Sequence, residues 1–418
     1  MRGHIYQLPS CCWRIKVYMG KDEQGKKVYH STTKPTSNEA EDELARIINE
    51  TNQGTFVRPS KLTLAEFLIT WLADYGKPNL KPTSYDMYES LIRVHIKPGL
   101  GYVRLDRLSP LAIQRFLNEK RATKRQRNGE GNLSLSTVGH IYDILNISLN
   151  TAVQWNCLAK NPAAAVGRPG ASKTKRKKKT SKRTVWTAKQ LGTFLEATKN
   201  DRYYAAYLLA VTTGMRRGEI LGLRWRDIDL SGAVIEINQT VVKTREERAL
   251  VQDSAKTDES ERPLAISYNM AEAFRARVGA TAQERFVHEK IYGKGSYQDN
   301  DLIYPALDGS PLKPDSFTQH FKRLVRRINA GLKAANKDEL PQIRFQDLRH
   351  TNATMMLKAG VPLKIMSQRL GHSNIQTTAN VYSHVLEEMD RDVADTVERV
   401  IRDGRKAARR ENDEKLLH

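Results

Sequence analysis

The stretch "LLAVTTGMRRGEILGLRWRDIDL", residues 208–230, decides how the C-terminal half of the chain folds. Its apolar run ends at Gly214, and a glycine just past such a run is typical of a helix C-terminus. A second helical run begins directly afterwards, which places Arg216 at an interior junction between two helices. An arginine buried there needs an anion. Arg217, the next residue of the second helical run, is predicted to face solvent.

A second arginine of interest lies in "RFQDLRHTNATMMLKAG", residues 344–360. Arg349 and His350 are predicted in the first turn of a helix whose apolar residues include Leu348 and Met355. Taken alone, Arg349 is more simply explained by a structural ion pair with Asp347 than by a functional role. His350 is predicted to be structural, packed behind Arg349.

Composition limits the class of protein. The 418 residues carry a formal charge of +22, which predicts roughly two to four domains and a polyanionic partner, with nucleic acid as the leading candidate. The longest apolar runs, such as Ala205–Val211, are too short to span a membrane, and the N-terminus lacks a signal peptide. Three cysteines and scattered histidines offer no metal-ligand spacing. A cytoplasmic protein without membrane partner, metal or cofactor is predicted.

Residues 1–58 are predicted to form a small β-sheet plus one helix that binds DNA. Alternation in "WRIKVYM" gives a strand with Arg14 and Lys16 on its polar face, and a second strand follows around residues 28–33. The helix would begin at the capping residue Ser37 and end at Gly54. A two-stranded basic ribbon fits the major groove of DNA, although a merely solvated basic sheet explains the pattern equally well.

Residues 62–168 are predicted to be all helical and to bind DNA. A capping box, Thr63 to Glu66, opens the region, and later helices are expected after Lys81, Ser109 and Ser134. A Gly- and Asn-rich loop is predicted to carry a basic cluster, which fits phosphate contact or a solvated charge run: Lys120, Arg121, Lys124, Arg125 and Arg127.

A basic linker is predicted at residues 169–184, because eight of the eleven residues from Lys173 to Arg183 are basic and repel one another. A nuclear-localisation patch is the alternative. The linker's candidate DNA contacts are Lys175, Arg176, Lys177 and Lys178.

A third domain is predicted at residues 185–385, opening with the capping box Thr187 to Gln190. Strand-like residues 233–266 are interpreted as a hairpin inside a helical domain. Residues 386–418 are predicted to form a helical tail, and the narrow apolar stripe from Val385 to Ile401 must dock on another surface. The fold class is therefore mainly α with small β elements (α+β).

Five motifs occur in one order: "TTGMRRGEILGLRW", "AKTDESERPLAI", "FQDLRHTNAT", "LGHSNIQTT" and "VYSHV". Their order and spacing resemble those of the tyrosine recombinases, or phage integrases, over about residues 187–385. The three-domain layout is similar to integrases of conjugative transposons and temperate phages, with a mixed α/β catalytic domain preceded by a helical core-site binder and an arm-site binder.

The resemblance implies a role for each matching residue. Arg216 and Arg349 would clamp the scissile phosphate, Lys256 would be the hairpin lysine, His372 another phosphate contact and Tyr382 the nucleophile. Glu219 would brace Arg216. Guanidinium groups can stabilise the negative charge that develops on a phosphodiester under attack. A tyrosine, whose ordinary pKa is about 10, must lose its proton to act as a nucleophile, and this requires a cationic site. The arginines and His372 are expected to supply that positive charge.

One position departs from the family pattern. Gln346 stands three residues before Arg349, where the family usually has histidine. Glutamine can donate a hydrogen bond to a phosphate oxygen but cannot hold a proton near neutral pH. We therefore expect Gln346 to keep a contact and to lose some acid/base assistance.

The predicted function is a site-specific recombinase that integrates and excises a mobile element through a 3′-phosphotyrosine intermediate. Its expected partners are double-stranded DNA with core and arm sites, three further copies in a tetramer, a host DNA-bending protein and an excisionase. The resemblance also implies that the tail at residues 386–418 docks on a neighbouring subunit, with docking on its own domain as the alternative. Two alternatives remain open: a type IB topoisomerase that only relaxes DNA, and a regulator that kept the fold and lost catalysis.

Overall fold

The computed structural model describes residues 3–21, 24–53, 56, 61–123, 132–170, 184–253, 262–372, 374–376, 378–379 and 397–406. The chain divides into two compact units, Met1–Lys178 and Lys179–His418, and each is described by itself. Within the described ranges, no helix combines the length and apolarity needed to cross a membrane.

The first unit begins with a three-stranded antiparallel sheet in the order β1 (Gly3–Gln7), β2 (Trp13–Lys21) and β3 (Lys27–Lys34). Strand β2 alternates as predicted, because Ile15 and Val17 are fully buried while Arg14 and Lys16 are exposed. The buried face packs on helix α1 (Ser37–Asn52). The sheet therefore leaves a basic face open to solvent.

Two details of this region differ from the sequence prediction. Strand β1 is not predicted, because "GHIYQ" has little apolar alternation and becomes a strand only by pairing, with Gly3 opposite Val17. The cap of α1 is Thr36 rather than Ser37: Thr36 has an extended backbone, and its hydroxyl accepts a hydrogen bond from the Glu39 amide at 3.3 Å. The predicted helix end at Gly54 lies outside the described residues.

The remainder of the first unit is helical. Its elements, in chain order, are α2 (Leu64–Trp71), a π-helical turn (Leu72–Gly76), α3 (Lys77–Asn79), α4 (Pro82–Leu91), a second π-helical turn (Ile92–Ile96), α5 (Lys97–Leu100), a 3₁₀ turn (Leu105–Arg107), α6 (Pro110–Ala122), α7 (Leu135–Gln154) and a last 3₁₀ turn (Pro162–Ala165). The predicted capping box is confirmed, with Glu66 accepting from the Thr63 amide at 2.8 Å. The caps Ser109 and Ser134 are also confirmed.

Trp71 lies at the centre of this helical core. The ring is fully buried, stacks with Tyr75 and Tyr88 at centroid distances of 5.4 and 6.2 Å, and donates its indole N–H to Thr151 Oγ1 at 3.1 Å. A buried tryptophan with a satisfied N–H fixes both packing and orientation. It thereby joins α2, α4 and α7.

The basic loop of this region is partly corrected. Lys120 and Arg121 belong to the last turn of α6, not to a loop. Lys124, Arg125 and Arg127 lie outside the described residues, as do Lys175, Arg176, Lys177 and Lys178 of the linker. Cations in a last helical turn interact favourably with the helix dipole.

The second unit is a helical domain with two small sheets. Its helices are α8 (Ala188–Ala197), α9 (Tyr204–Thr213), α10 (Arg217–Gly222), α11 (Tyr268–Tyr292), α12 (Pro314–Ala334), α13 (Asp347–Lys358) and α14 (Leu363–Leu370), and residues 397–406 are also helical. The capping box Thr187 to Gln190 is confirmed at the start of α8. An aromatic cluster of Phe194, Tyr207, Phe317, Phe321 and Phe345 fills the core.

The strand region forms two sheets rather than one hairpin. Strands β4 (Ile228–Asp229), β5 (Val234–Glu236) and β8 (Pro263–Ala265) make one antiparallel sheet, while β6 (Gln239–Val242) and β7 (Leu250–Asp253) make the other. Alternation indicates that a segment is a strand but does not identify its partner. The pairing of β5 with β8 is therefore set by the tertiary structure.

We expect Trp71→Ala to destabilise the helical part of the first unit by about 3–5 kcal/mol, because it removes a large side chain from a closed core. Urea unfolding of the full chain, followed by hydrogen exchange of residues 64–71 and 135–154, measures the effect. Tyr102→Ala is the matched control, since Tyr102 is 76% exposed. Equal exchange protection in the two variants would contradict the proposed packing role.

Candidate active site

The first element of the site is the junction between α9 and α10. Gly214 ends α9 in the left-handed conformation, with φ of 71°, which suits glycine. An added Cβ there would lie 2.7 Å from both Asn352 Oδ1 and Leu370 Cδ2. The glycine therefore permits α9, α13 and α14 to meet, and it places Arg216 at the start of α10 as predicted.

Glu219 holds Arg216 in place. Its Oε2 accepts from the Arg216 amide at 2.8 Å, and its Oε1 accepts from Arg216 Nη1 at 2.7 Å. Burial opposes ionisation of this carboxyl, yet the charges of Arg262 and Arg216 outweigh burial and lower its pKa. The Arg216 side chain stays 44% exposed, so its guanidinium is fixed and still accessible to a ligand.

Three arginines converge on the C-terminal end of α14. Arg262 Nε donates to the carbonyl of Arg369 at 3.0 Å, Arg349 Nη2 to that of Leu370 at 2.6 Å, and Arg216 Nη2 to that of Gly371 at 2.8 Å. The last carbonyls of a helix lack partners within the helix and carry partial negative charge. The helix end thus gathers guanidinium groups from three separate elements.

Arg349 is almost fully buried, at 5% exposure. Besides the Leu370 carbonyl, it donates from Nη1 to the Gly214 carbonyl at 2.7 Å. The sequence alone suggests an ion pair between Arg349 and Asp347. The structure shows the terminal nitrogens of Arg349 bonded to these two carbonyls. The two carbonyls instead tie Arg349 to both the α9 end and the α14 end.

His372 is a neutral imidazole in this arrangement. Its Nε2 lies 2.8 Å from Arg349 Nη2, and its Nδ1 lies 2.8 Å from Thr378 Oγ1. Arginine cannot accept a hydrogen bond, so Nε2 is the acceptor and Nδ1 carries the proton. Burial and the charges of Arg349 and Arg216 lower the pKa of His372 to about 4. The expectation that His372 adds positive charge is therefore wrong, and the arginines supply it.

The other predicted residues are placed as follows. Gln346 is exposed at the start of α13, and its Oε1 accepts from the Arg217 amide at 3.3 Å. Arg217 does not simply face solvent: it is half-buried and donates to Thr318 Oγ1 at 2.7 Å and to the Pro314 carbonyl. Lys256 and Tyr382 lie outside the described residues.

Two further arginines belong to the site and have no counterpart in the sequence prediction. Arg262 is 8% exposed and reaches Glu219 Oε2 at 3.3 Å. Arg369 donates to the carbonyls of Thr212 and Ala265 at 3.2 and 3.1 Å. With Gly371 and His372 they line a hollow of about 520 Å³. Nothing in the sequence marks them, since a single arginine beside an apolar strand or in a helix has no diagnostic spacing.

The arrangement is suited to binding an anion. Arg216 and Arg262 share the Glu219 carboxylate, whereas Arg349 and Arg369 donate to uncharged backbone carbonyls, so these contacts leave positive charge in excess. Desolvation lowers the pKa values of Arg262 and Arg369, and a bound anion would relieve that cost. In the part of the chain that the structure describes, no cluster of three His, Cys, Asp or Glu side chains could hold a metal ion.

Comparison with known proteins finds two regions of the chain that match family models. The model of the phage integrase family matches residues 184–389, and the model of the phage integrase N-terminal SAM-like domain matches residues 63–121. The chain belongs to the phage integrase family.

Relatives match most of the chain. The chain is 27% identical over 395 residues to a protein called tyrosine recombinase XerC-like from Caldanaerobacter subterraneus subsp. tengcongensis, covering 92% of this chain and 95% of the relative. It is 23% identical over 397 residues to the ICEBs1 integrase of Bacillus subtilis, covering 94% and 99%. The prediction of similarity to integrases of mobile elements is confirmed.

A solved structure has the same fold. The Tn1549 transposon integrase, in complex with a circular intermediate DNA, superposes with a TM-score of 0.59 at 20% identity, covering 79% of this chain and 99% of that chain. The predicted fold class, mainly helical with small antiparallel sheets, is confirmed.

We expect histidine-selective NMR to find His372 protonated at Nδ1 and neutral down to a pKa of about 4. The unfolded chain takes up this proton near pH 6.5, its ordinary pKa. The contribution of His372 to folding stability is therefore complete above about pH 6.5 and lost as the pH falls toward 4. His372→Gln should remove that part of the pH dependence. A native pKa at or above 6.5, or a proton on Nε2, would refute the assignment.

Proposed function

We propose that this protein is a site-specific tyrosine recombinase, which cuts and rejoins double-stranded DNA through a 3′-phosphotyrosine intermediate and so integrates and excises a mobile element. The observation that carries the proposal is the convergence of Arg216, Arg349 and His372 on one end of α14. Family membership and the charge of +22 support DNA as the substrate.

The arginines would stabilise the phosphate under attack. Charge grows on the non-bridging oxygens as a nucleophile approaches phosphorus, and preorganised guanidinium groups bind that charge without reorganising. Arg216 offers the accessible fork, and Arg349 supplies a buried charge from behind it. His372 accepts a hydrogen bond from Arg349 and so orients it beside the same phosphate.

Tyr382 would be the nucleophile. Its phenolic oxygen forms a bond to phosphorus while the bond to the 5′ oxygen breaks. The phenol releases its proton to solvent, since positive charge near the phosphate would stabilise the phenolate. Lys256 gives a proton to the leaving 5′ oxygen. The phosphotyrosine keeps the energy of the original bond, so rejoining to a new 5′ hydroxyl consumes no cofactor.

Other parts of the chain would hold the DNA. Residues 62–168, through Lys120 and Arg121, and the basic linker at residues 169–184 would grip the core site together with the catalytic domain, residues 185–385. The N-terminal domain, residues 1–58, would bind arm sites with the outer face of β2: Arg14 and Lys16 are exposed, and Lys16 Nζ lies 4.5 Å from the Tyr29 ring centroid. Basic and aromatic groups together suit a groove or backbone.

Assembly and direction would come from partners. Exchange of strands between two duplexes requires four active sites, hence a homotetramer on DNA, and residues 386–418 would link its subunits or dock on their own domain. Because breaking and rejoining are nearly isoenergetic, a host DNA-bending protein and an excisionase would decide between integration and excision.

The decisive test uses a nicked duplex carrying the element's terminus, because loss of the short cleaved strand traps the covalent complex. We expect a protein–DNA band with the wild type and none with Tyr382→Phe, while Tyr102→Phe, at a 76% exposed tyrosine, behaves as the wild type. No covalent band with the wild type would leave a DNA-binding regulator. Relaxation of a plasmid without any paired site would favour a topoisomerase.

Arg216→Lys should lower the cleavage rate by about 10²–10³, as for loss of one oxyanion donor, because lysine keeps the charge but not the fork. Arg226→Lys is the control, at an exposed arginine paired with Asp301. Single-turnover cleavage at saturating DNA measures both. Similar rates for the two variants would remove Arg216 from the phosphate site.

Gln346→Ala should lower the cleavage rate about tenfold, the worth of one hydrogen bond to a charged group. Gln346→His should raise it by far less than the 10²–10⁴ typical of a new acid/base catalyst, since the arginines provide most of the stabilisation. A gain of many orders of magnitude in the same assay would show instead that the natural glutamine disables the enzyme.

A further inference from the structure

Arg262 is a nearly buried cation that the proposed reaction does not yet use. Its side chain is 8% exposed, and a buried guanidinium is tolerated only where partners compensate its desolvation. Its partners include Glu219 Oε2 at 3.3 Å and the Arg369 carbonyl at 3.0 Å. Glu219 also holds Arg216, and the Arg369 carbonyl lies in the last turn of α14, just before His372.

The contact with Glu219 affects the charge of the site. Glu219 orients Arg216 with two hydrogen bonds, but a lone carboxylate beside Arg216 would also cancel most of its positive charge. Arg262 contributes a second guanidinium to the same carboxylate. The Arg216–Glu219–Arg262 group therefore keeps a net positive charge while Arg216 stays oriented.

The contact with α14 affects geometry. Gly371 follows α14 in the left-handed conformation, with φ of 62°, and an added Cβ there would lie within van der Waals overlap of the Arg262 guanidinium. Arg262 is thus packed against the turn that presents the Gly371 carbonyl to Arg216 and leads into His372. Moving Arg262 would loosen that turn.

The position of Arg262 in the chain is a third feature that connects it to the site. It directly precedes β8, which pairs with β5 in the central sheet. It also directly follows residues 254–261, the segment that carries Lys256. Its side chain therefore ties the start of β8 to the arginine cluster.

We propose that Arg262 is a positioning residue for strand cleavage: through Glu219 and the turn after α14, it holds Arg216 and His372 in place and keeps the phosphate site positive. The inference rests on the proposed function, since it assigns Arg262 to the same cleavage step. It does not require Arg262 to touch DNA.

The test compares Arg262→Met with Arg277→Met. Arg277 is the matched control because it is 4% exposed and donates to one carboxylate, that of Glu284, and one carbonyl, that of Ile303, but lies in α11. At saturating nicked DNA, Arg262→Met should slow covalent-complex formation about 100-fold, the effect of misplacing a reacting group by about 1 Å. Arg277→Met should lower the melting temperature and leave the rate of the folded enzyme within about threefold of the wild type.

A second substrate distinguishes a loss of positioned positive charge from general damage to the active site. A methylphosphonate at the scissile position lacks the charged non-bridging oxygen, so the rate deficit of Arg262→Met should shrink to less than about tenfold. Arg262→Lys, which keeps the buried charge and is the fallback if the methionine variant does not fold, should fall between Arg262→Met and the wild type on the ordinary substrate.

Three outcomes would overturn the inference: wild-type cleavage by both Arg262 variants, a deficit that Arg277→Met reproduces, or an equal deficit on both substrates. Each of these presupposes a covalent band with the wild-type protein. If the wild type itself forms no such band, the proposed function fails instead, and the two failures are therefore distinguishable.

Discussion

The C-terminal end of α14 is the constraint on which the rest of the site depends. Gly371 turns the chain in the left-handed conformation, so that the Gly371 and His372 amides reach back to the carbonyls of Gln368 and Ser367. The next three carbonyls, those of Arg369, Leu370 and Gly371, accept from Arg262, Arg349 and Arg216. One helix end thereby assembles side chains that are separated by up to 133 positions in the sequence.

The same contacts explain how several buried cations coexist. Guanidinium groups repel one another, and desolvating them is costly. Carbonyl dipoles at a helix end offset part of this cost without adding a full negative charge. Glu219 is the carboxylate that bonds within the cluster, and it serves two arginines at once. Positive charge therefore remains for an anion, while His372 stays neutral and acts as a hydrogen-bond acceptor.

The replacement of the usual histidine by Gln346 fits a site of this kind. Gln346 Oε1 accepts from the Arg217 amide at the start of α10, one residue after Arg216. Its amide group thus supports the same junction whether or not it can transfer a proton. In the function that we propose, stabilisation of charge by fixed arginines outweighs proton transfer at position 346.

Local signals in the sequence predicted local structure well. The capping boxes Thr63–Glu66 and Thr187–Gln190, the alternation of β2 and the glycine that ends α9 each act within a few residues, so the chain reveals them directly. Strand β1 and the partners of β5 depend on segments that are distant in the sequence, and there the prediction was incomplete. The cap of α1 is a local feature, and the prediction placed it one residue too late, at Ser37.

The sequence by itself determined the family, the helical character of both units and the identity of Arg216, Arg349 and His372 as candidates, because motif order and helix periodicity are properties of the chain alone. Only the tertiary structure decided that Arg262 joins them, that Arg217 is tied to α12 and that His372 is uncharged. Hydrogen bonding, desolvation and the fields of neighbouring charges depend on distances in space, and residues far apart in the chain set those distances.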